Sequence, residues 1–131
     1  FNPDNLRFRN FLSFDRRWLE EIGSEDSHGR SLWGLGTVLG HSNNHGMSGL
    51  ASRMFVAALP VTLDFTSPRA WAYTLLGVNE YLKRFSGDSV AHLVLTSLAE
   101  RLLELYKHSS SPDWLWFEDS LTYCNAALMP S

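Results

Sequence analysis

Two stretches of ten residues without a charged side chain, 31–40 and 70–79, constrain the fold of this chain most strongly. Their apolar residues recur at helical spacing, and no alternation typical of a β-strand persists anywhere in the sequence. A helix that is apolar all round must be covered on every side, whereas an amphipathic helix keeps one face in solvent. The pattern therefore predicts an all-α chain in which these two helices are inner helices.

Two further predicted helices alternate with the inner ones and carry their charges on one face. One is expected from about residue 47 to residue 65, with Pro60 as a kink or break inside it. The other follows Asp88 as its N-cap and has a clean apolar stripe from Ala91 to Tyr106. Because the connections are short, neighbouring helices should be antiparallel and form hairpins.

The starts of the two inner helices resemble each other. The first is expected to begin at its N-cap, Asp26 or Ser27, and the second just after the N-cap Ser67. Each has an arginine followed closely by a tryptophan, and the two arginines, Arg30 and Arg69, lie 39 residues apart. This repeat predicts antiparallel helical hairpins of an (α/α) toroid, with the segments that lead into the inner helices at one end of the ring.

The whole chain is interpreted as a single domain that forms part of such a toroid. Within the lead-in, residues 16–22 are expected to form a short helical turn, and a fifth helix is expected from about residue 119 to 129. Incomplete closure would expose the apolar flanks of the terminal helices, which predicts a homodimer that covers the open edge. The predicted divisions are a lead-in (1–22), hairpin one (23–65), hairpin two (66–108) and the start of hairpin three (109–131).

The composition excludes several classes of protein. The 131 residues are 44% hydrophobic and 19% charged, which is typical of a globular domain rather than a disordered chain. Lysines and arginines are scattered over a chain of net charge −3, so nucleic acid is not an expected partner. No apolar run of membrane-spanning length is present, and Cys124 is the single cysteine, which predicts a cytoplasmic protein without a membrane anchor.

The densest polar segment is residues 23–30, which combines carboxylates, hydroxyls, an imidazole and a guanidinium between flanking glycines. Glu25 and Asp26 are candidate catalytic residues, and His28 and Arg30 are candidate substrate-binding residues. The structural alternative is that the acidic residues only cap a helix and favour its N-terminal dipole.

A second candidate segment combines tryptophans with acids. An indole can cover the apolar C–H face of a sugar ring while carboxylates accept hydrogen bonds from its hydroxyls. Glu118 and Asp119 are the candidate catalytic residues here; core packing of the tryptophans and capping by the acids remain the alternative. The candidate substrate-binding residues are Trp114, Trp116, Tyr123 and Asn125.

Asp15 and Arg17 are further substrate-binding candidates, with a surface ion pair as the alternative. No metal or cofactor is predicted: His41 and His45 fall in a Gly/Asn-rich stretch, and no phosphate loop or nucleophile elbow is present. A glycosidase needs two carboxylates across one bond, which Glu25 with Glu118, or Asp26 with Asp119, would supply from adjacent hairpins.

Several segments together carry a resemblance to a known family: 13–21, 23–30, Leu32-Trp33, 63–77, 116–119, 121–123 and Asn125-Ala126. In these segments the chain resembles a bacterial family of the six-hairpin glycosidase type, whose members are often labelled glycosyltransferases. The resemblance implies an (α/α) barrel, a carbohydrate context, a glycosyltransferase partner, and a family domain of which this chain is the N-terminal portion.

Three functions remain open at this point. The first is a carbohydrate-active domain, hydrolytic or accessory to glycosyl transfer, that acts on or binds an oligo- or polysaccharide. The second is a non-catalytic helical-repeat scaffold or interaction domain, in which the acids are caps and ion pairs. The third is a sugar isomerase or epimerase, which would need His28 as a general base near a second imidazole.

Overall fold

The computed structural model describes residues 1–118, 120, 123 and 128. Over these residues the regular elements are helical, with three isolated β-bridges and no strand, so the prediction of an all-α chain is confirmed. The element order is α1 (Glu25–His41), α2 (His45–Ala58), a 3₁₀ helix (Pro60–Asp64), α3 (Pro68–Leu82) and α4 (Ser89–Ser109).

Side-chain caps explain where the helices begin. Ser67 caps α3 and Asp88 caps α4, as the sequence predicts. The predicted cap of α1 is wrong: Ser24 accepts a hydrogen bond from the Ser27 amide, so the helix begins earlier and Asp26 lies in its first turn. Pro60 breaks the predicted second helix, since the α-helix ends at Ala58 and a 3₁₀ helix starts at the proline.

Helices α1 and α3 lie side by side and run parallel. Gly29 of α1 packs on Ala70 of α3, and the backbone of Gly36 lies against Gly77. A Cβ atom added at Gly36 would clash with the Gly77 carbonyl oxygen, so glycine is required for this approach. The close packing places the N-terminal ends of the two helices at the same end of the molecule.

Helices α2 and α4 flank this pair and run antiparallel to it. The His28 ring, near the start of α1, meets the Ala58 carbonyl at the end of α2. Tyr81, near the end of α3, donates a hydrogen bond to Asp88, the cap of α4. Buried residues from all four helices form one core: Leu32, Leu39, Ala51, Phe55, Ala58, Leu59, Val78, Tyr81, Ala91, Val94 and Leu98. The structure thus contains two adjacent helical hairpins that pack through α1 and α3. Helix α1 is not covered on every side as the sequence predicts, because Trp33, Gly34 and Thr37 are exposed.

The lead-in does not contain the predicted helical turn at residues 16–22. It is an irregular segment with bridges between Asn2 and Arg7 and between Leu12 and Trp18, and Arg16 has a positive φ of 64°. The bridge to Leu12 holds Trp18, in the middle of the segment, in an extended conformation that a helical turn does not allow. Most of the predicted fifth helix lies outside the described residues.

Contrary to the expectation from the sequence, one stretch, His45–Asp64, is long and apolar enough to cross a membrane by length and composition. It comprises α2 and the 3₁₀ helix, and it supplies the core residues Phe55 and Leu59. A core helix of a water-soluble domain has the same composition, so the stretch is weak evidence for membrane insertion.

Candidate functional site

Glu25 lies where the N-terminal ends of α1 and α3 meet. Its Oε2 atom accepts hydrogen bonds from the backbone amides of Thr66, at 2.8 Å, and Ser67, at 2.7 Å. These amides lead into α3, and a carboxylate there satisfies donors that the helix leaves unpaired. Glu25 therefore joins the two hairpins, which agrees with the structural alternative of capping but involves the neighbouring helix rather than its own.

Asp26 connects the start of α1 to the start of α3 and to Tyr123 in the C-terminal part of the chain. Its Oδ1 atom accepts a hydrogen bond from the Ser67 hydroxyl at 2.8 Å, and its other oxygen accepts one from the Tyr123 hydroxyl. The bond to Asp26 raises the pKa of Tyr123, because it stabilises the protonated phenol. Asp26 and Tyr123 are thus brought together from sequence positions far apart.

Arg69 holds the segment around Glu118 against the start of α3. Its side chain is buried, and its two terminal nitrogens donate to the two carboxylate oxygens of Glu118 at 2.7 and 2.6 Å. Its Nε atom donates to the Tyr123 carbonyl at 2.6 Å. The bidentate bond to Glu118 raises the pKa of Arg69 further. Both oxygens of Glu118 are therefore committed to an ion pair.

A polar cleft of about 510 Å³ opens beside this network, at the N-terminal end of α1. Asp26 and Arg30 are the charged residues among its described lining, and they have opposite signs. The remaining lining residues are hydroxyl or amide side chains: Asn10, Ser24, Ser27, Ser31 and Tyr123. The cleft therefore offers both donors and acceptors to a ligand without a large net charge.

A pair of aromatic rings, Trp33 of α1 and the buried Tyr73 of α3, is connected to the cleft through Arg30. Arg30 donates to the Tyr73 hydroxyl at 3.1 Å, and its guanidinium carbon lies 4.9 Å from the centre of the Tyr73 ring. Trp33, one turn after Arg30, stacks on the same ring with centroids 6.1 Å apart and planes 14° apart. Trp33 remains 42% exposed. Sequence reasoning missed Trp33 and Tyr73, although the position of Trp33 one turn beyond Arg30 was a usable signal.

His28 does not line the cleft, contrary to its prediction as a substrate-binding residue. The side chain is fully buried between the rings of Phe8 and Phe65. Its Nε2 atom lies 3.0 Å from the Ala58 carbonyl, and Nδ1 accepts from the Phe8 amide at 3.5 Å. Burial lowers its pKa to about 4, so the ring is neutral at pH 7. A ring that is enclosed and bonded in this way also lacks the access that a general base needs.

Trp114 and Trp116, the tryptophans predicted to bind substrate, do not line the polar cleft. Trp116 lines an apolar groove of about 880 Å³ between α3 and α4, together with Leu75, Leu102 and Phe117. Trp114 donates to the Glu118 carbonyl at 2.7 Å and lines neither cavity. Trp116 packs against apolar residues of α3 and α4, because this contact removes apolar surface of the ring from water.

Asp15 and Arg17 form an exposed ion pair at 2.9 Å in the lead-in and do not line the cleft. This matches the structural alternative for the pair, which is a surface turn. The candidates Asp119 and Asn125 lie outside the described residues.

Among the residues that the structure describes, no three histidine, cysteine or acidic side chains gather where they could hold a metal ion. His41 instead pairs with Glu80 at 2.6 Å. Comparison of the chain with models of known protein families, with curated proteins and with solved structures found no match.

Proposed function

We propose that this chain is a carbohydrate-binding helical domain whose ligand occupies the polar cleft at the N-terminal end of α1. The observation that carries the proposal is the lining of the cleft, where Asp26, Arg30 and several hydroxyl groups converge next to stacked aromatic rings. A sugar presents both hydroxyl hydrogens and hydroxyl oxygens around an apolar C–H face. Mixed donors and acceptors beside an aromatic ring are complementary to both features.

Binding, rather than hydrolysis, is the role that the acidic residues support best. A two-carboxylate glycosidase needs one carboxyl group to donate a proton and the other to act as base or nucleophile. Glu25 accepts from two backbone amides, and Glu118 forms both bonds to Arg69. Neither of them lines the polar cleft, so we assign them structural roles. Asp26 also accepts two hydrogen bonds, from Ser67 and Tyr123, but it lines the cleft, and we assign it the contact with the ligand. A domain of this kind would serve as an accessory to a glycosyltransferase partner.

The proposed architecture is part of an (α/α) toroid in which α1 and α3 line the axis. The parallel packing of α1 on α3, with α2 and α4 outside, supports this arrangement. The cleft would then lie at one end of the ring, where the starts of inner helices meet.

The experiment is a binding titration by isothermal calorimetry with cellotetraose, maltotetraose and laminaritetraose. We expect saturable binding of at least one of them, and an affinity at least tenfold lower for Asp26→Asn. The matched control is Asp15→Asn, because Asp15 is an exposed carboxylate outside the cleft. Binding that is equal in the two variants would place the ligand elsewhere, and no binding by the folded protein would refute the proposal.

A second function, as a helical-repeat interaction domain, is favoured by the apolar groove between α3 and α4. Its walls include Leu76, Leu103 and Leu115, and Leu103 and Leu115 are exposed. Under this alternative a homodimer covers the groove. Sedimentation velocity would then detect a dimer that Leu103→Glu dissociates, whereas a monomer at all concentrations would exclude it.

A further inference from the structure

Trp33 is an exposed aromatic side chain that stacks on a buried ring. Tyr73 is almost fully buried and packs nearly parallel to the indole, with ring centroids 6.1 Å apart. Arg30 holds the same tyrosine through its hydroxyl and its ring. The exposed part of the indole is therefore a rigid, nearly flat surface rather than a freely rotating side chain.

A rigid aromatic surface binds a flat apolar partner with little loss of conformational entropy. The C–H face of a pyranose ring is such a partner, and an indole that is already ordered loses few rotamers on binding. Gly34, the next residue, has open space where a Cβ atom would lie, so this position adds no side chain next to Trp33.

The position of Trp33 relative to the cleft determines how long the ligand must be. Asp26, in the cleft, and Trp33 belong to the same helix, and a rise of 1.5 Å per residue separates them by about 10 Å along its axis. A single pyranose ring is too short to contact both. Arg30 lies between them and contacts both the cleft and the aromatic pair.

The charges along this surface indicate a neutral ligand. Asp26 and Arg30 offset each other, and no cluster of basic side chains lines the cleft among its described residues. A polyanion such as a nucleotide or a sulfated glycan would lack the several cations that its recognition needs.

We propose that Trp33 forms a second sugar-binding position, so that the cleft takes a neutral oligosaccharide of two or more pyranose units running along α1. This inference rests on the proposed function, since it assumes that the cleft binds a sugar. To the proposed function this inference adds the minimum length of the ligand, two pyranose units, and the residue that favours longer ligands, Trp33.

The test compares glucose with the tetrasaccharide of glucose that binds most tightly among the three linkages above, titrated into wild type, Trp33→Ala and Trp33→Phe. We expect the tetrasaccharide to bind at least tenfold more tightly than glucose. Trp33→Ala should remove roughly that tenfold advantage, so that the tetrasaccharide binds no more tightly than glucose does; the loss corresponds to about 1.4 kcal/mol. Trp33→Phe keeps a smaller ring and should lose less.

Trp18→Ala is the matched control, because Trp18 is similarly exposed but lies on Arg9 in the lead-in. Far-UV circular dichroism confirms that each variant is folded. Equal affinities for glucose and the tetrasaccharide, with no effect of Trp33→Ala, would overturn the second position while the proposed function stands. Absence of binding by any sugar would overturn both, and tight binding of AMP that depends on Trp33 would show that the aromatic pair serves another class of ligand.

Discussion

Protonation of His28 should make the stability of this fold strongly dependent on pH. The ring is buried between two phenylalanines, and its Nε2–H donates to the Ala58 carbonyl while Nδ1 accepts from the Phe8 amide. A proton on Nδ1 would remove that acceptor and place a charge in an apolar site. The folded protein therefore holds the pKa of His28 near 4, against 6.5 in an unfolded chain.

The sign and size of the effect follow from this difference in pKa. Above pH 6.5 both states are neutral, and His28 adds no pH dependence. Below pH 6.5, His28 binds a proton in the unfolded state but stays neutral in the folded state until about pH 4. The free energy of unfolding therefore falls as the pH falls. At 1.36 kcal/mol per pKa unit, the free energy of unfolding should drop by about 2 kcal/mol between pH 7.5 and pH 5, and by about 3 kcal/mol at pH 4.

The assay is urea unfolding followed by far-UV circular dichroism at pH 7.5, 6 and 5. His28→Gln removes the titrating group and keeps a donor, so its stability should be lower at pH 7.5 but should lose about 2 kcal/mol less on acidification. His108→Gln, at an exposed position near the end of α4, should behave like the wild type. Equal losses of stability in the wild type and in His28→Gln would refute this assignment.

Two further substitutions test the packing that positions the cleft. Gly36→Ala should destabilise the fold by about 2 kcal/mol or more, measured by thermal unfolding, because its Cβ would clash with the Gly77 carbonyl. Gly34→Ala is its control on the same helix; it has open space and should be neutral or stabilising by up to about 1 kcal/mol. Glu118→Gln should lower stability by about 2 kcal/mol, because it leaves the buried Arg69 without its carboxylate. Asp113→Asn is the control substitution. If Glu118→Gln left the Tm as unchanged as this control does, the ion pair would contribute nothing to stability.

The helices were accessible to sequence reasoning because each depends on local signals. The caps Ser67 and Asp88 and the break at Pro60 act within a few residues of the helix ends that they determine. The sequence does not settle the cap of α1 because three residues within four positions, Ser24, Asp26 and Ser27, can each act as N-cap. Only the bond from the Ser27 amide distinguishes them.

The site was harder to predict because its partners are far apart in sequence. The polar segment around Asp26 and Arg30 was found from composition, but nothing local shows that Glu25 binds the start of α3 or that Arg69 binds Glu118. His28 looked like a surface residue among polar neighbours, yet the helix turns its ring into the core. The position of Trp33 one turn beyond Arg30 is a local signal, but nothing local shows that Tyr73 of α3 stacks on its ring or that Trp116 lies in the apolar groove.

The most direct test of the account is an NMR titration of the uniformly ¹⁵N-labelled protein with the tetrasaccharide, in which the indole N–H signals of the five tryptophans serve as separate reporters. We expect the Trp33 indole and the backbone amides of Ser27 and Ser31 to shift together and to saturate at one ligand concentration. The Trp116 indole, in the apolar groove, should stay in place. Shifts confined to Trp116 and its neighbours, with Trp33 unchanged, would contradict the assignment of the cleft as the sugar-binding site.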